Sequence, residues 1–161
     1  MKQIKIEKIV LSIGGTGENL EKGIRLLKLV TGREPARMKS RKRIPSLGVR
    51  PKLEVGAVVT LRKDIDENLR RMLITKDNTL KKSQISENCF SFGVKEYIEI
   101  PGFEYQRDIG IKGFDVTVVF KRAGKRIGLR KIKTGKIPSR NKISKEEIIK
   151  FMEEKFQTNF V

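Results

Sequence analysis

Residues 53–62 read Leu-Glu-Val-Gly-Ala-Val-Val-Thr-Leu-Arg, an apolar and β-branched run that is the strongest strand signal in the chain. Upstream, Ile4, Ile6, Ile9, Leu11 and Ile13 alternate with polar residues, interrupted at Val10, and predict a first strand over residues 5–13. Gly14-Gly15-Thr16-Gly17 turns the chain. Leu20, Ile24, Leu27 and Val30 then recur at helical spacing, predicting a helix over 18–31 with Glu18 and Glu21 in its first turn and Gly32 at its end. Residues 35–40 add a short strand. Downstream, Asp64 or Asp66 caps a helix bearing Ile65, Leu69, Met72 and Leu73. Residues 90–94 and 115–120 read as strands, and the stretch between them, with Pro101, Gly102, Gly110 and Gly113, as turns with short extended pieces. Ser144-Lys145-Glu146-Glu147 is a capping box, followed by Ile148, Ile149, Met152 and Phe156 on the buried side of a last helix. The order β-α-β-β-α-β-β-α predicts an α+β fold: an antiparallel sheet with helices packed on one face, the other face free to meet a ligand.

The length of 161 residues predicts a single domain, 1–161, with a basic loop at 36–52 and a basic extension at 121–142 that leads into the C-terminal helix 144–156. No run approaches 18 apolar residues, so no membrane span is expected, and Met1-Lys2-Gln3-Ile4 does not open a secretory leader. Cys89 is the one cysteine and there is no histidine. Internal disulfides, zinc-ligand patterns and histidine-dependent catalytic triads are thereby excluded. No metal and no cofactor are expected.

The net charge of +18 is concentrated. Residues 33–52 hold eight basic side chains and one acid, and residues 121–142 hold ten and none. These 42 residues carry +17; the other 119 carry +1. A solvated face ordinarily mixes signs, because like charges repel, so two nearly acid-free blocks call for a polyanionic partner. A membrane surface would want an amphipathic basic helix, and neither block shows helical periodicity. Nucleic acid is therefore the expected partner, with no membrane and no small-molecule substrate. Lys39, Arg41, Lys42 and Arg43 in the first block, and Lys125, Arg126, Arg130, Lys131, Lys133 and Arg140 in the second, are the candidate contacts. Both blocks are expected to be mobile until RNA orders them.

The glycine turn at 14–17 invites a nucleotide-binding reading, which its details oppose. Leu20 stands where a dinucleotide fingerprint needs glycine, and a P-loop's Gly-Lys-Ser/Thr is missing. The paired carboxylates Asp64/Asp66, Glu146/Glu147 and Glu153/Glu154 fall at helix starts or on helix surfaces, where dipole and solvent account for them. The phenylalanines and the two tyrosines are expected mostly in the core, since no aromatic base-stacking signature is present. An RNA-modifying enzyme or nucleotide-dependent assembly factor would use Gly14–Gly17; the expectation is that the chain is not an enzyme.

Val-Leu-Ser-Ile-Gly-Gly (10–15), Val-Thr-Gly-Arg-Glu-Pro (30–35), Lys-Ser-Arg (39–41), Leu-Gly-Val-Arg (47–50), Val-Thr-Leu-Arg (59–62), Phe-Gly-Val-Lys-Glu (92–96), Asp-Ile-Gly-Ile-Lys-Gly-Phe-Asp-Val (108–116) and Arg-Asn-Lys-Ile-Ser-Lys-Glu-Glu (140–147) occur in this order. The series resembles the universal large-subunit ribosomal protein number five family, number eleven in eukaryotic naming, over residues 4–157. Its last segment is similar to the archaeal and eukaryotic branch. The resemblance implies a structural protein that binds 5S rRNA in the central protuberance beside large-subunit rRNA and other 5S-binding ribosomal proteins. It also implies contact with the small-subunit head through protein number thirteen and an approach to P-site tRNA. The implied location is the cytoplasmic ribosome, with nuclear or nucleolar assembly in a eukaryote. Carried over by position, the 5S contacts fall on Lys8, Ser12, Arg33, Lys39, Arg41, Thr60 and Arg62, and the tRNA-proximal loop on Leu47, Gly48, Val49, Arg50 and Lys52. On this reading block 33–52 lies beside Lys8, Thr60 and Arg62. Three departures stand out: Ser12 replaces the family's asparagine, Arg33 replaces its glutamine, and the turn after the first strand is about two residues shorter than in relatives.

Overall fold

The computed structural model describes residues 3–161, the side chain of Arg140 excepted. In chain order the elements are β1 (Ile4–Gly14), α1 (Glu18–Thr31), β2 (Ala36–Lys39), β3 (Glu54–Leu61), α2 (Ile65–Ile74), β4 (Thr79–Leu80), β5 (Ile85–Ser86), β6 (Cys89–Val94), β7 (Phe114–Arg122), α3 (Arg126–Leu129), α4 (Lys145–Phe156) and β8 (Asn159–Phe160). The class is α+β. Six strands form an antiparallel sheet in the order β2-β3-β1-β7-β6-β5, and β4 pairs with β8 in a separate parallel ladder. The chain divides into two compact units, Met1–Ile9 with Arg62–Phe92 and Thr117–Val161, and Val10–Leu61 with Gly93–Val116.

In the second of these units, side chains on β1 and β3 alternate as a half-covered sheet requires. Leu11, Ile13, Ala57, Val59 and Leu61 are buried, whereas Val10, Ser12, Val58 and Thr60 are only partly covered. Helix α1 packs on β3 and buries Leu20, Ile24, Leu26 and Leu27. Gly23 lets this helix come close: a β-carbon there would lie 2.9 Å from Ile13 Cδ1. The segment between β6 and β7 is held by Tyr97, fully buried, whose hydroxyl oxygen accepts from the Gln106 N–H at 2.7 Å.

In the other unit the same alternation runs through β6 and β7. Phe90, Phe92, Val118 and Phe120 are buried and Ser91 and Lys121 exposed. Phe120 meets Phe151 of α4 edge-on at 5.7 Å and Phe90 at 5.8 Å, favourable geometries for aromatic quadrupoles. The expected capping box starts α4: the Ser144 hydroxyl accepts from the Glu147 N–H at 3.4 Å, and the Ser144 N–H donates to the Glu147 carboxylate at 3.0 Å.

Several expectations need correction. Asp64 does occupy the cap position of α2, but in a left-handed conformation (φ 52°) and without a side-chain cap bond. Its carbonyl instead accepts from the Asn68 N–H (3.2 Å) and side-chain amide (2.8 Å). Ile149, expected on the buried side of the last helix, is only partly covered. The two-residue strands β4, β5 and β8 carry no periodicity, being too short for one. The second basic block, which lacks helical periodicity, still forms the single turn α3. Among the described residues no helix is long and apolar enough to cross a membrane.

Candidate nucleic-acid interface

The first basic block is a hairpin. β2 pairs antiparallel with β3, Ala36 opposite Val58, Arg37 opposite Ala57 and Met38 opposite Gly56, and a bulge between Met38 and Lys39 brings Lys39 opposite Glu54. The connection closes on itself. Ser40 N–H donates to the Leu53 carbonyl and Lys52 N–H to the Ser40 carbonyl, both at 2.8 Å. Farther out, Ile44 and Val49 exchange both backbone bonds at 2.9 and 3.0 Å, around the 3₁₀ turn Pro45–Leu47. These bonds give the loop a defined backbone path.

Side-chain placement sorts the cations of this hairpin. Arg37 is a clamp: its Nη1 lies 2.8 Å from Glu54 and 2.9 Å from Glu21, tying β2 to β3 and α1. The Glu54 hydrogen bond, reinforced by the Glu21 charge, raises its already high pKa further. Arg33, Lys39, Arg41, Lys42, Arg43, Arg50 and Lys52 are exposed and form no ion pair among the described residues. Their charge is uncompensated. Ser12 and Thr60, on β1 and β3, are partly covered hydroxyls within this same unit. Of the loop residues, Leu47 is 70% exposed while Val49 is 6% exposed, so Val49 anchors the loop and Leu47, Gly48, Arg50 and Lys52 form its outer surface.

The glycine turn at 14–17 is occupied by structural work. Gly15 N–H donates to the Val55 carbonyl at 3.1 Å, and Gly17, with φ 57°, supplies the carbonyl that receives the first bonds of α1. Glu18 and Glu21 sit in that first turn and repel an anion from it. Lys112 reaches the Asn19 carbonyl there; burial, with Lys22 nearby, lowers its pKa. Among the described residues no cluster of carboxylates or thiols is arranged to hold a metal.

In the other unit, Lys8 is partly covered on β1, and exposed Arg62 lines an open depression with Lys5, Asp64 and Lys155. Lys155 pairs there with Asp66 at 2.6 Å. The second basic block divides as the first does. Arg122 pairs with Glu147, Lys125 with Glu7, and Lys142 with Glu87 at 3.2 Å. Lys125, expected from charge alone to be an RNA contact, is thus committed to a carboxylate that lies 118 positions away in sequence. Lys121, Arg126, Arg130, Lys131, Lys133 and Lys136 are exposed and outside any ion pair among the described residues. Lys121 and Lys136 join the candidates here; only their membership of the charge run marked them in sequence. The Arg140 side chain lies outside the described residues.

The α+β fold thus carries two basic segments, most of whose exposed cations form no ion pair among the described residues. Comparison with known proteins gives this arrangement its place. Residues 54–153 match the model for the C-terminus of the ribosomal protein L5 family. The chain is 37% identical to the large ribosomal subunit protein uL5 of Nanoarchaeum equitans, covering all of this chain and 98% of that one. It is 36% identical to the uL5 of Methanobrevibacter smithii over all of this chain and 97% of that protein. It is 40% identical to the uL5 of Pyrobaculum aerophilum over 95% of this chain and 88% of the relative. The protein is a structural component of the large ribosomal subunit. It belongs to the uL5 family, in its archaeal branch.

Proposed function

We propose that this chain binds 5S rRNA in the central protuberance of the large subunit, together with large-subunit rRNA and other 5S-binding proteins. The observation that carries the reading is the β2–β3 hairpin and its approach, where seven exposed cations have no carboxylate partner among the described residues while Arg37 is used for internal bonding. Such cations release counterions from phosphates, and the Ser12 and Thr60 hydroxyls offer donors and acceptors to phosphate and 2′-OH groups. Arg33, Lys39, Arg41, Lys42 and Arg43 supply the charge of this contact, with Lys8 and Arg62 as further contacts from the other unit. The outer surface of the loop, Leu47 to Lys52, approaches P-site tRNA, and the protein touches the small-subunit head through protein number thirteen. The role is positional, within the cytoplasmic ribosome and during large-subunit assembly, with no catalysis and no cofactor.

The test is a salt titration of binding to 5S rRNA beside a tRNA. Log affinity should fall with log salt by roughly 0.7–0.9 per phosphate contact on either RNA. A preference for 5S rRNA of about 2–3 kcal/mol that survives at high salt supports shape-specific docking. Coincident curves throughout reduce the hairpin to a general polyanion surface and overturn the 5S assignment.

A further inference from the structure

The second basic block is a small lobe folded on itself. After α3 the chain makes a tip turn at 130–134, where the Thr134 hydroxyl donates to the Arg130 carbonyl at 2.7 Å. The returning segment bonds back, Gly135 N–H to the Ile127 carbonyl at 3.2 Å. Two glycines make the closure possible. A β-carbon on Gly128 would lie 2.9 Å from Ile137 Cδ1, and one on Gly135 would lie 2.8 Å from Ile127 Cγ2. Each limb seats an isoleucine of the other over a residue without a side chain. The base is fixed separately, by Lys125 on Glu7 and by the Asn141 amide donating to the Ala123 carbonyl at 3.3 Å.

This architecture divides the block by role. The cations at the base, Arg122, Lys125 and Lys142, hold carboxylates. Those on the lobe itself, Arg126, Arg130, Lys131, Lys133 and Lys136, are exposed and hold none among the described residues. Residues 121–142 contain no acid with which they might pair. Leu129 and Ile132 stand among them, 68% and 79% exposed. A glycine-packed scaffold is not needed to solvate lysines; its effect is to hold a dense cationic tip in one shape. The partner that fits is a rigid polyanion. Base-paired RNA presents phosphates and 2′-OH groups at fixed spacing, with a shallow minor groove open to apolar side chains.

We propose that residues 124–141 form a second, pre-shaped RNA-binding site that docks base-paired ribosomal RNA outside the 5S molecule. The choice of ribosomal RNA rests on the function proposed above; the site does not depend on the hairpin. The test uses the full chain with two probes, protein-free archaeal large-subunit rRNA and 5S rRNA. Removing tip charge in R130S/K131S/K133S should lower the salt slope on large-subunit rRNA by about 2.7 and weaken binding roughly five-hundredfold at about 0.1 M salt, at roughly 0.9 per lost duplex contact. Binding to 5S rRNA should be unchanged. The variant G128V/G135V keeps every charge and breaks the lobe's packing; it should lose affinity by at least about tenfold with the slope retained.

Unchanged affinity and slope in the charge variant would overturn the proposal and point to an acidic protein as occupant. Equal weakening on both RNAs would make the lobe part of the 5S site and overturn its independence. Parent-like binding by the glycine variant would reduce the lobe to an unshaped basic tail, which also overturns it. If the parent shows no 5S preference but the charge variant still fails on large-subunit rRNA, the 5S reading falls and this one stands.

Discussion

At the scale of single residues, Gly113 shows how a backbone approach dictates an amino acid. A β-carbon there would stand 2.2 Å from the Val94 carbonyl oxygen and 2.4 Å from that of Lys95. Neither is a flexible side chain that can swing away. Gly113→Ala should therefore destabilise the protein by about 3 kcal/mol, the upper end of overpacking costs, measurable as a lower urea midpoint. Glu147 makes a pH-dependent case. The Ser144 backbone N–H holds its carboxyl below the usual range; the nearby Arg122 charge acts in the same direction, and partial burial opposes them. Because the folded value is depressed, the unfolded chain protonates first as pH falls. The stability from this carboxylate is complete above about pH 4.3, the ordinary glutamate value, and is lost as pH drops through the folded one. Glu147→Gln should flatten the acid limb of a stability–pH curve, and a limb unchanged from the parent would refute the assignment. Ser144→Ala should cost about 1 kcal/mol at neutral pH through the lost cap.

At the scale of elements, the β2–β3 hairpin separates cations that build from cations that bind. Arg37 and Arg41 lie four positions apart, yet among the described residues one touches two carboxylates and the other none. Arg37→Ala should lower the melting temperature and leave the RNA salt slope unaltered. Arg41→Ser should leave the melting temperature in place and reduce the slope by roughly 0.7–0.9. Reversed outcomes would exchange their roles. Sequence could not make this distinction, because ion pairing depends on which distant carboxylate the fold delivers. Lys125 is the sharper example, an apparent RNA contact committed to Glu7. What was legible came from periodicity and local caps: the span of α1, the capping box of α4, and β1, β3, β6 and β7 all follow from the nearest residues in sequence. Ladders of two residues, such as β4 with β8, have no local signal and exist only because the fold aligns them. Val49 was legible as loop and illegible as anchor, since its burial depends on the bridge to Ile44.

At the scale of the whole molecule, the charge itself is a term in stability. A net +18 on 161 residues, most of it in two segments, makes the folded protein repel itself. Salt screens that repulsion over a Debye length of about 10 Å at 0.1 M and about 3 Å at 1 M. The free protein should therefore melt higher as sodium chloride rises from about 0.02 M to about 0.5 M, by a few degrees if the relief is about 1 kcal/mol. Bound RNA should invert the trend. Phosphates then supply the missing counter-charge, stabilisation follows the binding free energy, and added salt removes it through counterion release. Melting of the 5S complex should accordingly fall over the same salt range in which melting of the free protein rises. Two curves that cross establish that the uncompensated cations are a cost to the isolated chain that RNA binding offsets. Parallel curves would mean that the fold already neutralises its own charge, and the absence of carboxylate partners around the hairpin and the lobe would then carry no functional meaning.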